Sequence, residues 1–184
     1  MKSVSISLKN IAFIILVIFQ VSIFLSCNKS QKEEEIIDNL FGKEMVLPKN
    51  IVVLENFDLD TIPVSQFNSD IQIVSTIDGR CPACINRLSE LMNVKKRIDQ
   101  KTDQQIDFLF FVYTQEFEVF EKEYYSLLDC TIPIIIQKDL SFLEKNPLPG
   151  FGVYQTVLTI NDKIRLVGNP AINTELEKIV YQRN

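Results

Sequence analysis

Cys81-Pro82-Ala83-Cys84 lies between a β-branched run and a run of helical apolar spacing, and that junction constrains the fold more than any other feature of the chain. Residues 71–77 read Ile-Gln-Ile-Val-Ser-Thr-Ile, a strand pattern that Asp78-Gly79-Arg80 then breaks. Beyond the motif, Ile85, Leu88, Leu91 and Met92 recur on one helical face. A helix is expected over 85–99, with Pro82 in a first-turn position where its missing N–H costs nothing. This arrangement puts Cys81 at a helix N-terminus.

Unpaired backbone N–H groups and the positive end of a helix dipole favour a thiolate over a thiol, and Arg80 adds a positive charge nearby. Cys81 is therefore expected to be a nucleophile. Cys84, one turn further in, is the resolving thiol that would attack a mixed disulfide formed at Cys81. Two other readings of the pair stand beside this one. Half of a zinc site needs further ligands, and the chain has no His and only two more cysteines, Cys27 and Cys130. A purely structural bridge would close so short a loop that it constrains the unfolded chain little.

At the other end of the sequence, Lys2 and Lys9 precede an apolar run over 11–19 that continues, with polar interruptions, to Leu25. The uninterrupted stretch is short of the roughly 20 apolar residues a spanning helix needs, so residues 1–26 read as a secretory signal peptide, with an uncleaved anchor as the alternative. Phe24-Leu25-Ser26-Cys27 resembles the lipobox of bacterial lipoproteins, with Phe24 where Leu is commonest. That resemblance implies lipidation at Cys27 and a location in the cell envelope, on the periplasmic face or the outer-membrane surface, where disulfides persist. Within residues 27–45, Cys27 is followed by Asn-Lys-Ser-Gln-Lys-Glu-Glu-Glu over 28–35, a solvated tether, and residues 36–41 add an amphipathic turn that can dock on the domain.

Removing residues 1–26 takes away two lysines and no acids, so the formal net charge of −5 becomes more negative. With no basic stripe carrying interleaved aromatics, nucleic acid is not an expected partner. Residues 46–184 are enough for one domain with a real core. Strands are expected at 51–54, 71–77, 106–113, 132–136, 153–160 and 164–167, the last two joined by a turn at Asn161-Asp162-Lys163. Helices are expected at 85–99, around the stripe Phe117, Phe120, Tyr124, Leu127 and Leu128, at 140–145, and from Thr174, where Thr174 and Glu177 match a capping box. Such βαβ units, followed by a hairpin and a last helix, predict an α/β fold, a central mixed sheet with helices on both faces. Cys130 precedes the run at 132–136, and burial as a small hydrophobe is its commonest role, with a second redox partnership left open.

The strand before Cys81-Pro82-Ala83-Cys84, the crossover to Phe108-Leu109-Phe110-Phe111-Val112, the second crossover to Ile134-Ile135-Ile136 and the hairpin over 156–164 together resemble a thioredoxin-like fold. More particularly, the chain resembles the TlpA-like and ResA-like envelope thiol-disulfide oxidoreductases over residues 51–182. The resemblance implies a nucleophilic Cys81 and a resolving Cys84. It also exposes three departures. Arg80 stands where an aromatic usually precedes the first cysteine, Tyr154 or Gln155 stands where a cis-proline normally faces the disulfide, and Ser75 falls near the place of a buried acid. Arg80, Pro82, Tyr154 and Gln155 are the candidate substrate contacts. A non-proline cis bond costs about 2.5–4 kcal/mol, so the loop at 154–155 is expected to be trans. Peroxiredoxin chemistry fits less well, since Asp78 sits where its threonine would be, and a copper chaperone of the Sco type needs a histidine ligand.

The expectation is a lipid-anchored thiol-disulfide oxidoreductase with no cofactor beyond the dithiol. Its partners would be cysteine-containing envelope proteins and a membrane thiol electron donor or acceptor. The alternative is a non-enzymatic lipoprotein that uses the same domain as a binding or assembly module.

Overall fold

In the computed structural model, which describes residues 35, 37–146, 148 and 156–168, the apolar run at 71–77 becomes an inner strand of a seven-stranded sheet. The strands are β1 (Asn50–Glu55), β2 (Asp58–Pro63), β3 (Ile71–Asp78), β4 (Asp107–Tyr113), β5 (Ile134–Gln137), β6 (Thr156–Ile160) and β7 (Lys163–Val167). The helices are α1 (Pro82–Lys101), α2 (Phe117–Glu123) and α3 (Ser141–Lys145). Spatial order across the sheet is β2-β1-β5-β4-β3-β6-β7. The three inner strands β3, β4 and β5 are parallel, while β1 joins β5 and β6 joins β3 in antiparallel register. The compact unit starts at Leu40.

Register assigns the two faces. Ile73 sits opposite Phe108, and Ile77 opposite Val112, so these residues share one side of the pleat. That side packs on Ile85, Leu88, Leu91, Met92, Val94 and Ile98 of α1, and on Phe120 and Tyr125. Each such fully buried side chain stabilises the fold by about 1.5–3 kcal/mol. On the other side, the Phe111 ring of β4 stacks on Phe142 of α3 with centroids 3.9 Å apart. Helices therefore cover both faces, and β3 is buried from Ile71 to Ile77 because neither face meets water.

Three features depart from the periodicity reading. Strand β2 has no apolar alternation, because only Ile62 is even half-buried on this edge. It is made by the turn at Asn56 and Phe57, whose φ angles of 50° and 66° close a two-residue hairpin. The stripe expected as one helix from Phe117 to Leu128 breaks after Glu123 into a 3-10 turn over Tyr125–Leu127. That break buries the Tyr125 ring and lets its hydroxyl donate to the Cys130 carbonyl at 3.0 Å, and it leaves Leu127 75% exposed instead of in the core. Finally, the last part of the segment expected as a tether pairs with the β6–β7 hairpin. The Gly42 N–H donates to Ile164 O and the Met45 N–H to Asp162 O, both at 2.8 Å, with Leu40 and Met45 buried.

The hairpin turn expected at Asn161-Asp162 is present, with φ of 50° and 61°. The signal peptide, Cys27 and the helix from Thr174 lie outside the described residues. Among the described residues no helix is long and apolar enough to cross a membrane.

Candidate active site

Strand β3 delivers the dithiol. At its end the Gly79 N–H donates to Tyr113 O at 2.8 Å and the Cys81 N–H to Asp78 O at 3.2 Å, which swings the chain from the sheet into α1. A glycine is needed at this turn for space. A Cβ on residue 79 would lie 3.0 Å from Tyr113 O and 3.0 Å from Val112 Cγ1. Cys81 is the N-cap of α1 and Pro82 occupies the first helical position, as the spacing predicts. The Cys84 N–H donates both to Cys81 O at 2.9 Å and to Cys81 Sγ at 3.4 Å. The sulfur thus takes the place that a Ser or Asp oxygen usually holds at a helix N-cap. Both thiols are unpaired and half-buried, and Pro82 is exposed beside them.

This geometry separates the two thiols electrostatically. A hydrogen bond from the Cys84 thiol, and then one from the Cys84 backbone, hold Cys81 below the ordinary thiol range, against desolvation and the negative charge of Asp78. Burial, and then the neighbouring Cys81 sulfur, push Cys84 up to about 11. The outer sulfur is the one that ionises. The inner one keeps its proton and lends it as a hydrogen bond.

Arg80 acts through Asp78. Its guanidinium donates to Asp78 Oδ1 at 3.1 Å and Oδ2 at 3.2 Å, its backbone N–H also reaches Oδ1 at 3.0 Å, and its charge lies 5.5 Å from the Tyr113 ring centroid. Turn geometry directs the side chain back onto residue 78, where it offsets the carboxylate charge that opposes ionisation of Cys81. Asp78 is the functional neighbour that the spacing argument missed. An Asp two residues before an Arg in a tight turn was the available signal.

Ser75, in the place of the absent acid, is fully buried, and its hydroxyl shares a 2.8 Å hydrogen bond with Thr156 of β6. This neutral pair supplies no carboxylate. Cys130 is half-buried, and its thiol donates to Tyr125 O at 3.4 Å. Its neighbour Asp129 is paired with Lys96, at 2.5 Å. Cys130 packs against the core, in keeping with the buried role expected of it. Tyr154 and Gln155 lie outside the described residues. Among the described residues no group of three or more His, Cys, Asp or Glu side chains is arranged to hold a metal ion.

No protein-family model matches the chain, and no curated protein sequence matches it. Solved structures do. A candidate protein disulfide isomerase from Bacteroides thetaiotaomicron aligns with a TM-score of 0.57 at 16% identity, over 78% of this chain and 87% of that one. A thioredoxin-like protein from Aeropyrum pernix aligns at 0.50 and 13% identity, over 88% of this chain and 99% of that one. The fold is thioredoxin-like. The reduced 2-Cys peroxiredoxin of Plasmodium vivax, with a TM-score of 0.56 and 10% identity over 78% of this chain and 96% of that one, shares the same architecture. At these identities the likeness establishes the thioredoxin-like fold alone.

Proposed function

We propose that this thioredoxin-like chain is a thiol-disulfide oxidoreductase of the TlpA-like and ResA-like kind, held in the cell envelope by acylation of Cys27. One observation carries the reading. Cys81 caps a helix, where the Cys84 thiol and backbone N–H favour its thiolate, while burial holds the Cys84 proton in place. A nucleophile that ionises and a resolving thiol that waits are the two roles exchange requires.

In the reducing direction the Cys81 thiolate attacks one sulfur of a substrate disulfide. The new Cys81–substrate bond forms as the substrate S–S bond breaks, and the released thiolate takes up a proton. Cys84 then loses its proton and attacks the Cys81 sulfur. The second substrate thiol departs, leaving a Cys81–Cys84 disulfide and a substrate reduced by two electrons. The same steps run backwards oxidise a substrate dithiol, and a membrane thiol donor or acceptor resets the pair. The ground for naming cysteine-containing envelope proteins as substrates is the lipobox-like Phe24-Leu25-Ser26-Cys27.

Turnover of a peptide disulfide with dithiothreitol as donor tests the chemistry. The wild-type chain is expected to turn over and Cys81→Ser to fall to background. Equal rates in the two would exclude the reading. Incorporation of an alkyne-tagged fatty acid, lost in Cys27→Ser, tests the anchor separately.

A further inference from the structure

Pro82, Asn86 and Ser89 recur at i, i+4 and i+7, on one face of α1. Across a cleft of about 200 Å³ from that face stand Tyr124, Leu127 and Leu128, carried there by the break of α2 into its 3-10 turn. The cleft starts at the residue bonded to Cys81 and follows the first two turns of α1, roughly 10 Å at 1.5 Å per residue. No charged side chain among the described residues lines it. Leu127 is 75% exposed on its wall. A single exposed leucine is ordinary on a protein surface, whereas one that closes an apolar cleft beside a nucleophile marks a place for another apolar group.

Tyr124 also lines a second cleft, of about 210 Å³, to which Gly79 and Arg80 contribute. The two clefts share that wall, and Cys81 stands in the chain between the residues lining one and the residue opening the other. Exchange chemistry dictates what arrives there. In a mixed disulfide the bridged Cα atoms are about 4.4–6.8 Å apart, and the next Cα of the substrate is about 3.8 Å further on. The residue beside the attacked cysteine therefore comes within a side chain's reach of Pro82 and the cleft it opens. Resting on the exchange reading, we infer that this cleft is a specificity subsite, which takes a large apolar side chain adjacent to the substrate cysteine and is walled by Leu127.

The test is the rate at which the reduced full-length chain, in detergent, is oxidised by blocked peptides Gly-Gly-Cys-Gly-Gly supplied as symmetrical disulfides. Leu, Ser or Lys replaces the glycine on one side or the other of the cysteine. On at least one side, the Leu peptide is expected to react at least fivefold faster than the Ser peptide. In Leu127→Asp that ratio should fall below twofold, with the Lys peptide overtaking the Leu peptide, and in Leu127→Met it should persist. Both variants change an exposed side chain, which leaves the fold intact. Equal rates for Leu and Ser peptides in the wild type, an unchanged ratio in Leu127→Asp, or an equal loss in Leu127→Met would overturn the subsite and leave the exchange reading standing. Failure of every peptide, and of hydroxyethyl disulfide, to oxidise the chain would remove the exchange reading and the subsite with it.

Discussion

Arg80 grips Asp78 through both carboxylate oxygens, at 3.1 and 3.2 Å, and so the charge that reaches the Cys81 sulfur is the negative one of Asp78. The residue before the nucleophile therefore moderates an opposing charge instead of supplying a favourable one. Thiolate reactivity is present above the Cys81 pKa and is lost as pH falls through it, and that pKa lies below the ordinary thiol value.

Asp78→Asn should move the midpoint of Cys81 alkylation to lower pH, because it removes a charge that opposes the thiolate. Arg80→Ala should move it the other way, since the carboxylate is then unshielded. Iodoacetamide rates against pH measure both shifts, each a fraction of a pH unit. Movement of the two midpoints in the same direction would contradict the pairing.

Cys84→Ser should stop the reaction at the mixed disulfide. Mass spectrometry is expected to find one substrate equivalent on Cys81 and turnover near background. In the wild type, burial of Cys84 persists after Cys81 is consumed, whereas the Cys81 negative charge does not. The resolving step should consequently accelerate with pH beyond the ordinary thiol range, by about tenfold per unit while the thiolate is scarce. A resolving rate independent of pH would sink this assignment.

Gly79→Ala should destabilise the fold by about 1–3 kcal/mol, the usual effect of forcing atoms into packed space. The clash is with the Tyr113 carbonyl and the Val112 side chain, which belong to a central strand and have little freedom to move. Urea denaturation gives the value. An unchanged midpoint would mean that the β3–α1 turn is looser than its hydrogen bonds indicate.

Asp129 is held at about 2, first by the Lys96 hydrogen bond and then by those from Thr131. A depressed carboxylate stabilises the fold above its unfolded pKa, and that contribution is lost as pH falls from about 4 towards 2. Asp129→Asn should therefore be less stable than wild type at neutral pH and converge with it in acid. Asp129 is half-buried but its Lys96 partner is exposed, so solvent screening keeps the gap small. Denaturation midpoints at the two ends of this range would show it, and a constant gap would refute it.

Sequence periodicity located β3, α1 and the dithiol because those elements are buried on regular faces, and burial is what periodicity records. Strand β2 was illegible for the opposite reason: Asp58-Leu59-Asp60-Thr61 is exposed on an edge and is held by a backbone turn at Asn56 and Phe57. Leu127 misled in turn, since its place in the helical stripe was overridden when Tyr125 rotated its hydroxyl towards Cys130. At the site, the cysteine roles followed from helix polarity alone. The direction of Arg80 did not, because its partners Asp78 and Tyr113 come together only through a turn and a strand pairing. The Ser75–Thr156 pair, 81 residues apart in sequence, was equally beyond local pattern.

The reduction potential of the Cys81/Cys84 pair tests the central claim most directly, read in the full-length chain by alkylation and mass shift across glutathione and dithiothreitol buffers. A reversible two-electron couple is predicted between roughly −120 and −270 mV. A pair that stays oxidised below about −300 mV, or never oxidises at all, would contradict exchange chemistry and make the domain a binding module that keeps its cysteines for structure.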